Sequence, residues 1–221
     1  MPDIFDEVDE ELRAERAQQL LKRYGALIVA GALVIVGAAA GWQGWRWYEA
    51  RQDQAAAAAY LAAVNLAEAT AAGSSETNRS AAIAAFDGLI ATSPKGYATL
   101  SRLRGAALRA DAGDLPGAIS LWDQVASDPT ADPLLRDLAS LLWVQHQVGD
   151  ADPSLVAARL KPLAVPANPW RSLAEEQMSL LDLRQGKVDQ ARATLRRLAH
   201  DITAPNGVRG RATALLDRLG G

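Results

Sequence analysis

From Gly25 to Trp45 the chain runs for 21 residues without a charged side chain, GALIVAGALVIVGAAAGWQGW, and Gln43 is its only strongly polar group. At about 1.5 Å per helical residue such a run is roughly 30 Å long, the thickness of a bilayer's hydrocarbon core. Hydrocarbon offers the backbone no hydrogen-bond partners, so a segment crossing it has to be helical. Tyr24 stands at the upstream end, and Trp42, Trp45, Trp47 and Tyr48 cluster at the downstream end. Rings of this kind settle at the headgroup level. The sequence therefore predicts a transmembrane helix with an aromatic girdle over residues 24–47, marked by Gly25, Gly37, Gly41, Trp42 and Trp45.

Two other readings of the run compete with an anchor. A cleaved signal peptide has a short basic leader, whereas here 24 residues with an acidic excess come first, although Ala38-Ala39-Ala40 offers small residues for cleavage. A core helix with no polar face would need a larger domain around it than this chain supplies. Orientation follows from Lys and Arg at the two ends. Arg13, Arg16, Lys22 and Arg23 lie upstream, against Arg46 and Arg51 downstream. The bias places the N-terminus in the cytoplasm and the rest beyond the membrane, which in a bacterium is the periplasm. Gly37 and Gly41 have the spacing that lets a second membrane helix approach closely, but Gly is also common in spanning helices generally.

The net charge of −3 is unevenly spread: residues 1–23 hold seven acids and four bases, while the remainder balances at nineteen of each. The leader reads as a helix, with Phe5, Val8 and Leu12 on one side and Asp9 and Arg13 spaced for an ion pair. Either it docks a partner or it is a solvated helix whose Lys22 and Arg23 sit at the headgroups. With no Cys and two His, the chain lacks thiol chemistry and has little for metal or acid–base work. No P-loop, dinucleotide fingerprint or nucleophile elbow is present. Glu175-Glu176 is adjacent on a helix and so points apart. His146 and His200 read as structural or surface residues. Arg192, Arg196 and Arg197 form a local basic face, but a neutral domain argues against a nucleic-acid footprint. Catalytic, cofactor and metal residues are thus expected to be none, with no small-molecule substrate; the chain is not expected to be an enzyme.

Beyond the anchor, residues 49–72 are Ala-rich and helix-favouring, and Gly73-Ser74-Ser75 interrupts them. A repeat then decides the fold. Gly113-Asp114, Gly149-Asp150 and Gly186-Lys187 recur at spacings of 36 and 37 residues, each between two amphipathic segments. That pattern predicts a helix, a turn whose glycine is left-handed, and an antiparallel second helix. The residues resemble tetratricopeptide repeats, in which a small residue follows the turn glycine by five positions, a large apolar residue comes four later, and a Pro closes the second helix. Gly113, Ala118 and Trp122 fit, with Pro129 near the closing position, and Gly186, Ala191 and Leu195 fit again. Ala82, Phe86 and Pro94 match the second half of a unit, with Thr77 in the glycine's place. The middle unit departs: Ser154 stands for the small Ala, and Pro153 and Pro162 bracket a short helix. A non-repeat helical bundle is the competing reading. The expected architecture is all-α, a single N-terminal transmembrane helix followed by a TPR-like α-helical-hairpin solenoid over residues 48–221. Hairpins fall at about 49–94, 97–129, 134–163 and 169–202, with a capping helix at 205–219.

The whole arrangement resembles the ancillary subunit family of the bacterial SecYEG translocon. The likeness rests on Asp3-Ile4-Phe5, Glu7-Val8-Asp9-Glu10-Glu11-Leu12, the Lys22-Arg23-Tyr24-Gly25 start of the anchor, and the degenerate repeats. It implies a single-pass inner-membrane scaffold or chaperone-like adaptor. Its partners would be translocon subunits, a periplasmic folding factor and emerging polypeptide, bound through residues the sequence does not identify. A cell-envelope or cell-division coordinator with a similar domain is the alternative.

Overall fold

The computed structural model describes residues 4–71 and 76–220, which fall into two compact units, Met1–Gln54 and Ala55–Gly221. The side chains of leader residues 1–21 and the Gly73-Ser74-Ser75 break lie outside the described residues. Every regular element among the described residues is an α-helix.

The first unit consists of helix α1 (Ile4–Ala71) as far as Gln54. Within Lys22–Ala69 is a window long and apolar enough to cross a membrane, with a mean hydropathy of 2.1 and none of it buried. A helix forming this fold's core would be mostly buried, so that reading of the run is set aside. Leu33, Val34, Ile35 and Val36 are all exposed, as are Trp42, Trp45, Trp47 and Tyr48. The Arg51 guanidinium lies 4.1 Å from the centroid of the Trp47 ring. Its charge is thereby placed on the aromatic face.

In the second unit the last turns of α1 are followed by α2 (Glu76–Thr92), α3 (Lys95–Asp111), α4 (Leu115–Ser127), α5 (Pro133–Gln147), α6 (Pro153–Leu160), α7 (Arg171–Arg184), α8 (Val188–His200) and α9 (Asn206–Arg218). Ala63 and Ala67 of α1 share a core with Ala82, Phe86 and Leu89 of α2 and Leu108 of α3. Tyr60 meets Phe86 edge to face, with centroids 5.7 Å apart. The pairs α3–α4, α5–α6 and α7–α8 follow as hairpins, and α9 covers the last of them through Leu195, Leu198, Val208 and Ala212.

One buried pattern recurs along every second helix, in the case of α6 running on into the turn that follows it. Ala82, Phe86 and Leu89; Ala118, Trp122 and Val125; Val156, Leu160 and Leu163; and Ala191, Leu195 and Leu198 are all buried at the same four-then-three spacing. The first residue sits where paired helices cross, and the next two fill the space beside it.

Turn chemistry explains how the hairpins close. Gly113 (φ 86°) and Gly186 (φ 75°) take the left-handed conformation. Asp114 N donates to Arg109 O and Lys187 N to Asp182 O, both at 2.8 Å, so each glycine completes a helix C-terminus. The middle turn is different, because Gly149 does not have a positive φ. Five residues separate α5 from α6, against three in the other two turns. Arg184 Nη1 holds the longer turn by donating to Val148 O (3.1 Å) and Ala151 O (2.5 Å). Asp152 caps α6 by accepting from Ser154 N, with Pro153 in the first helical turn.

The two extra residues correct the phase inferred from Gly149. Ser154 is exposed, and the crossing position expected there belongs to Val156, which is fully buried. The expected result is that Val156→Ala lowers stability by about 1–3 kcal/mol while Ser154→Ala changes it by about 0.5 kcal/mol or less, read from urea midpoints.

Acid sensitivity follows from the same loops. Asp128, Asp152 and Asp201 accept hydrogen bonds from the hydroxyl and amide of Thr130, Ser154 and Thr203, which hold their carboxyls below the usual range. Depressed folded values mean that the stabilisation is present above an unfolded value of about 3.9 and is lost as pH falls through the folded one. Thermal scans from pH 6 to pH 2 should show the melting point falling below about pH 4, and less steeply for Asp152→Asn, which keeps a capping oxygen without the titrating carboxyl.

Candidate partner-binding groove

Helix α5 packs on α7 and α7 on α9, whereas the second helices of successive hairpins have no comparable contact among the described residues. Helices α5, α7 and α9 are therefore drawn together on one side of this unit. Between them lies an open groove of about 470 Å³. Val148, Leu180, Ala214 and Leu215 give it an apolar floor, and Gln145, Gln177 and Arg218 contribute polar groups. The Gln177 Oε1 atom is buried without a hydrogen-bond partner.

A pair of adjacent acids ties this side together. Glu175 and Glu176 are both buried on α7 and diverge, as neighbouring helical residues must. Glu175 meets Arg197 of α8 at 3.3 Å. Glu176 accepts from Nε and Nη2 of Arg211 of α9, both at 2.6 Å. Those hydrogen bonds raise the Arg211 pKa above its ordinary value. This two-pronged geometry fixes α9 against α7, and among the described residues Arg218 is the cation at the groove without an ion pair. The acids are thus structural counter-charges.

The residues marked in the sequence do not line this groove. Ala82, Phe86, Ala118, Trp122, Ala191 and Leu195 are buried between helices, Gly113 and Gly186 are at turns, and Pro94 is the N-cap position of α3. His146 stacks on Trp122, with ring centroids 4.8 Å apart and an interplanar angle of 18°. The Nδ1 atom of His200 lies 2.8 Å from Arg196 O. Among the described residues no group of three or more His, Asp or Glu side chains is placed to hold a metal ion. Leu180 and Leu215 carried a signal as members of apolar helix faces, but nothing local separates a groove floor from a core. In the sequence Arg211 and Arg218 read only as charges within the capping helix at 205–219.

A family model described as a tetratricopeptide repeat-like domain matches residues 18–198. The match covers most of the chain, which belongs to that family. No curated protein and no solved structure matches it.

Proposed function

We propose that this member of the tetratricopeptide repeat-like family is a membrane-anchored scaffold that binds protein partners with the groove between α5, α7 and α9. The observation that carries the reading is that groove: an apolar floor, open to solvent, on the side where α5, α7 and α9 pack together. Domains of this kind are generally non-catalytic interaction modules, and binding and positioning are what such a surface can do. The exposed apolar window with its Trp-rich end supports anchoring by residues 24–47. The Lys and Arg distribution supports a cytoplasmic leader over residues 1–23 and a periplasmic helical domain over 48–221 in a bacterial inner membrane. In that setting the partners are SecYEG subunits, a periplasmic folding factor and polypeptide emerging from the channel. The repeat positions Gly113, Ala118, Trp122, Gly186, Ala191 and Leu195 serve by holding the groove's helices in place.

Chemical crosslinking of intact membranes followed by mass spectrometry tests the assignment. Translocon subunits should be recovered on peptides from α5, α7 or α9. Recovery of only peptidoglycan-synthesis or division proteins would replace the translocon reading with an envelope-coordinating one. Protease added to spheroplasts should remove the helical domain, and survival of that domain until the membrane is broken would reverse the orientation.

A further inference from the structure

A second groove, of about 540 Å³, lies on the other side of the same unit where α6, α7 and α8 meet. Met178 and Leu181 of α7 line it together with Pro153 and Ala157 of α6. Its polar rim carries Asp152 and Asp182, opposed by Lys187. Counting along the repeat, Met178 stands 35 residues after Trp143, the offset that also relates Val156 to Ala191. In the preceding unit the Trp143 ring is buried and covered by the Arg159 guanidinium at 4.1 Å, and Arg159 is held in turn by Asp123. Met178 is smaller, and the corresponding α8 residue is Thr194, which has no cation to offer. Where one unit places a buried indole, the next places a smaller side chain at the edge of the groove.

Charge says what belongs there. The Asp182 carboxylate accepts no hydrogen bond and makes no ion pair among the described residues. Burial raises its pKa, and the attraction of Lys187 offsets only part of that. Asp152 spends one oxygen on the α6 cap. We propose that the α6–α7–α8 groove is a second docking site, which takes a partner's protein segment carrying a basic side chain beside an apolar one. The basic group sits against Asp182 and the apolar one against Met178 and Leu181. The apolar group adds bulk beside Met178, where the preceding unit carries Trp143. A partly buried carboxylate without a hydrogen-bond donor gains from such a charged one.

Met178 provides the readout, since Met1 is the only other methionine. The full chain, labelled with ¹³C-methyl methionine in detergent micelles, would be titrated with a peptide containing Leu-Arg-Leu and with counterparts bearing citrulline or Glu at the Arg position. The expected result is a saturable shift of the Met178 methyl signal with the Arg peptide, at least about tenfold weaker with the other two. Asp182→Asn should remove the preference, and Met178→Trp should abolish binding to either the Arg or the citrulline peptide, read by peptide fluorescence. No saturable shift, equal responses to Arg and citrulline, or a preference that survives in Asp182→Asn would overturn the proposal. These outcomes are independent of the α5–α7–α9 groove, whose lining none of these variants alters.

Discussion

Trp122→Ala is expected to lower the stability of the helical unit by about 3–5 kcal/mol, the range for removing a large aromatic side chain from a packed core. Trp122 is only 1% exposed, and it shares a core with Leu103, Val125, Ala139 and Val144 on three consecutive helices. Its indole also carries His146 on its face. Truncation removes the stacked pair and leaves a cavity that the crossing at Ala118 cannot collapse, because that alanine already lets α3 and α4 approach closely. At about 2–4 °C per kcal/mol for a domain of this size, the melting temperature should fall by about 10 °C. Ile202→Ala is the control: Ile202 is 87% exposed, and its loss should cost about 0.5 kcal/mol or less. Urea unfolding followed by circular dichroism makes the comparison. A loss below about 1 kcal/mol for Trp122→Ala would mean that the repeat units do not share one cooperative core.

The second large effect concerns the apolar helix. Val34→Arg together with Ile35→Arg places two charges near the centre of the uncharged run. At about 2.5–3.5 kcal/mol each on the insertion scale, they outweigh much of what an apolar segment gains by entering a bilayer. The double variant should move from the carbonate-resistant membrane fraction to the extractable one. Both residues are exposed, so the urea midpoint of the helical unit should stay within experimental error of the parent's. Retention of the variant in the membrane would mean that something other than this run holds the chain there. Extraction of the parent chain by carbonate would mean that the run is not an anchor at all.

Much of the helical unit was legible in the sequence because the relevant physics is local. Gly113 and Gly186 announce their turns since a left-handed residue at a helix end favours glycine, and Ala118 with Trp122 announces a crossing by size alone. Gly149 misled for the same reason. A glycine in the right neighbourhood looked like the turn, but the turn is two residues longer and is held by Arg184, which lies more than thirty positions away. A hydrogen bond across that separation leaves no periodic trace, so the phase of α6 emerged only with the burial of Val156. The two grooves were hidden by a related limit. Leu180 and Leu215, like Met178 and Leu181, belong to ordinary apolar helix faces, and their exposure depends on how neighbouring helices diverge. The divergence of Glu175 from Glu176 was readable, yet their arginine partners on α8 and α9 were not.

The central claim, that the α5–α7–α9 groove engages a protein partner at the membrane, is tested most directly by photocrosslinking from single positions in living cells. A photoreactive residue at Leu180, on the groove floor, should give a discrete covalent adduct with a translocon subunit or a periplasmic folding factor. The same residue at Ala193, exposed on α8 and outside the groove, should give none. Adducts of equal yield from both positions, or none from Leu180 in cells that carry the chain at its native level, would contradict the account.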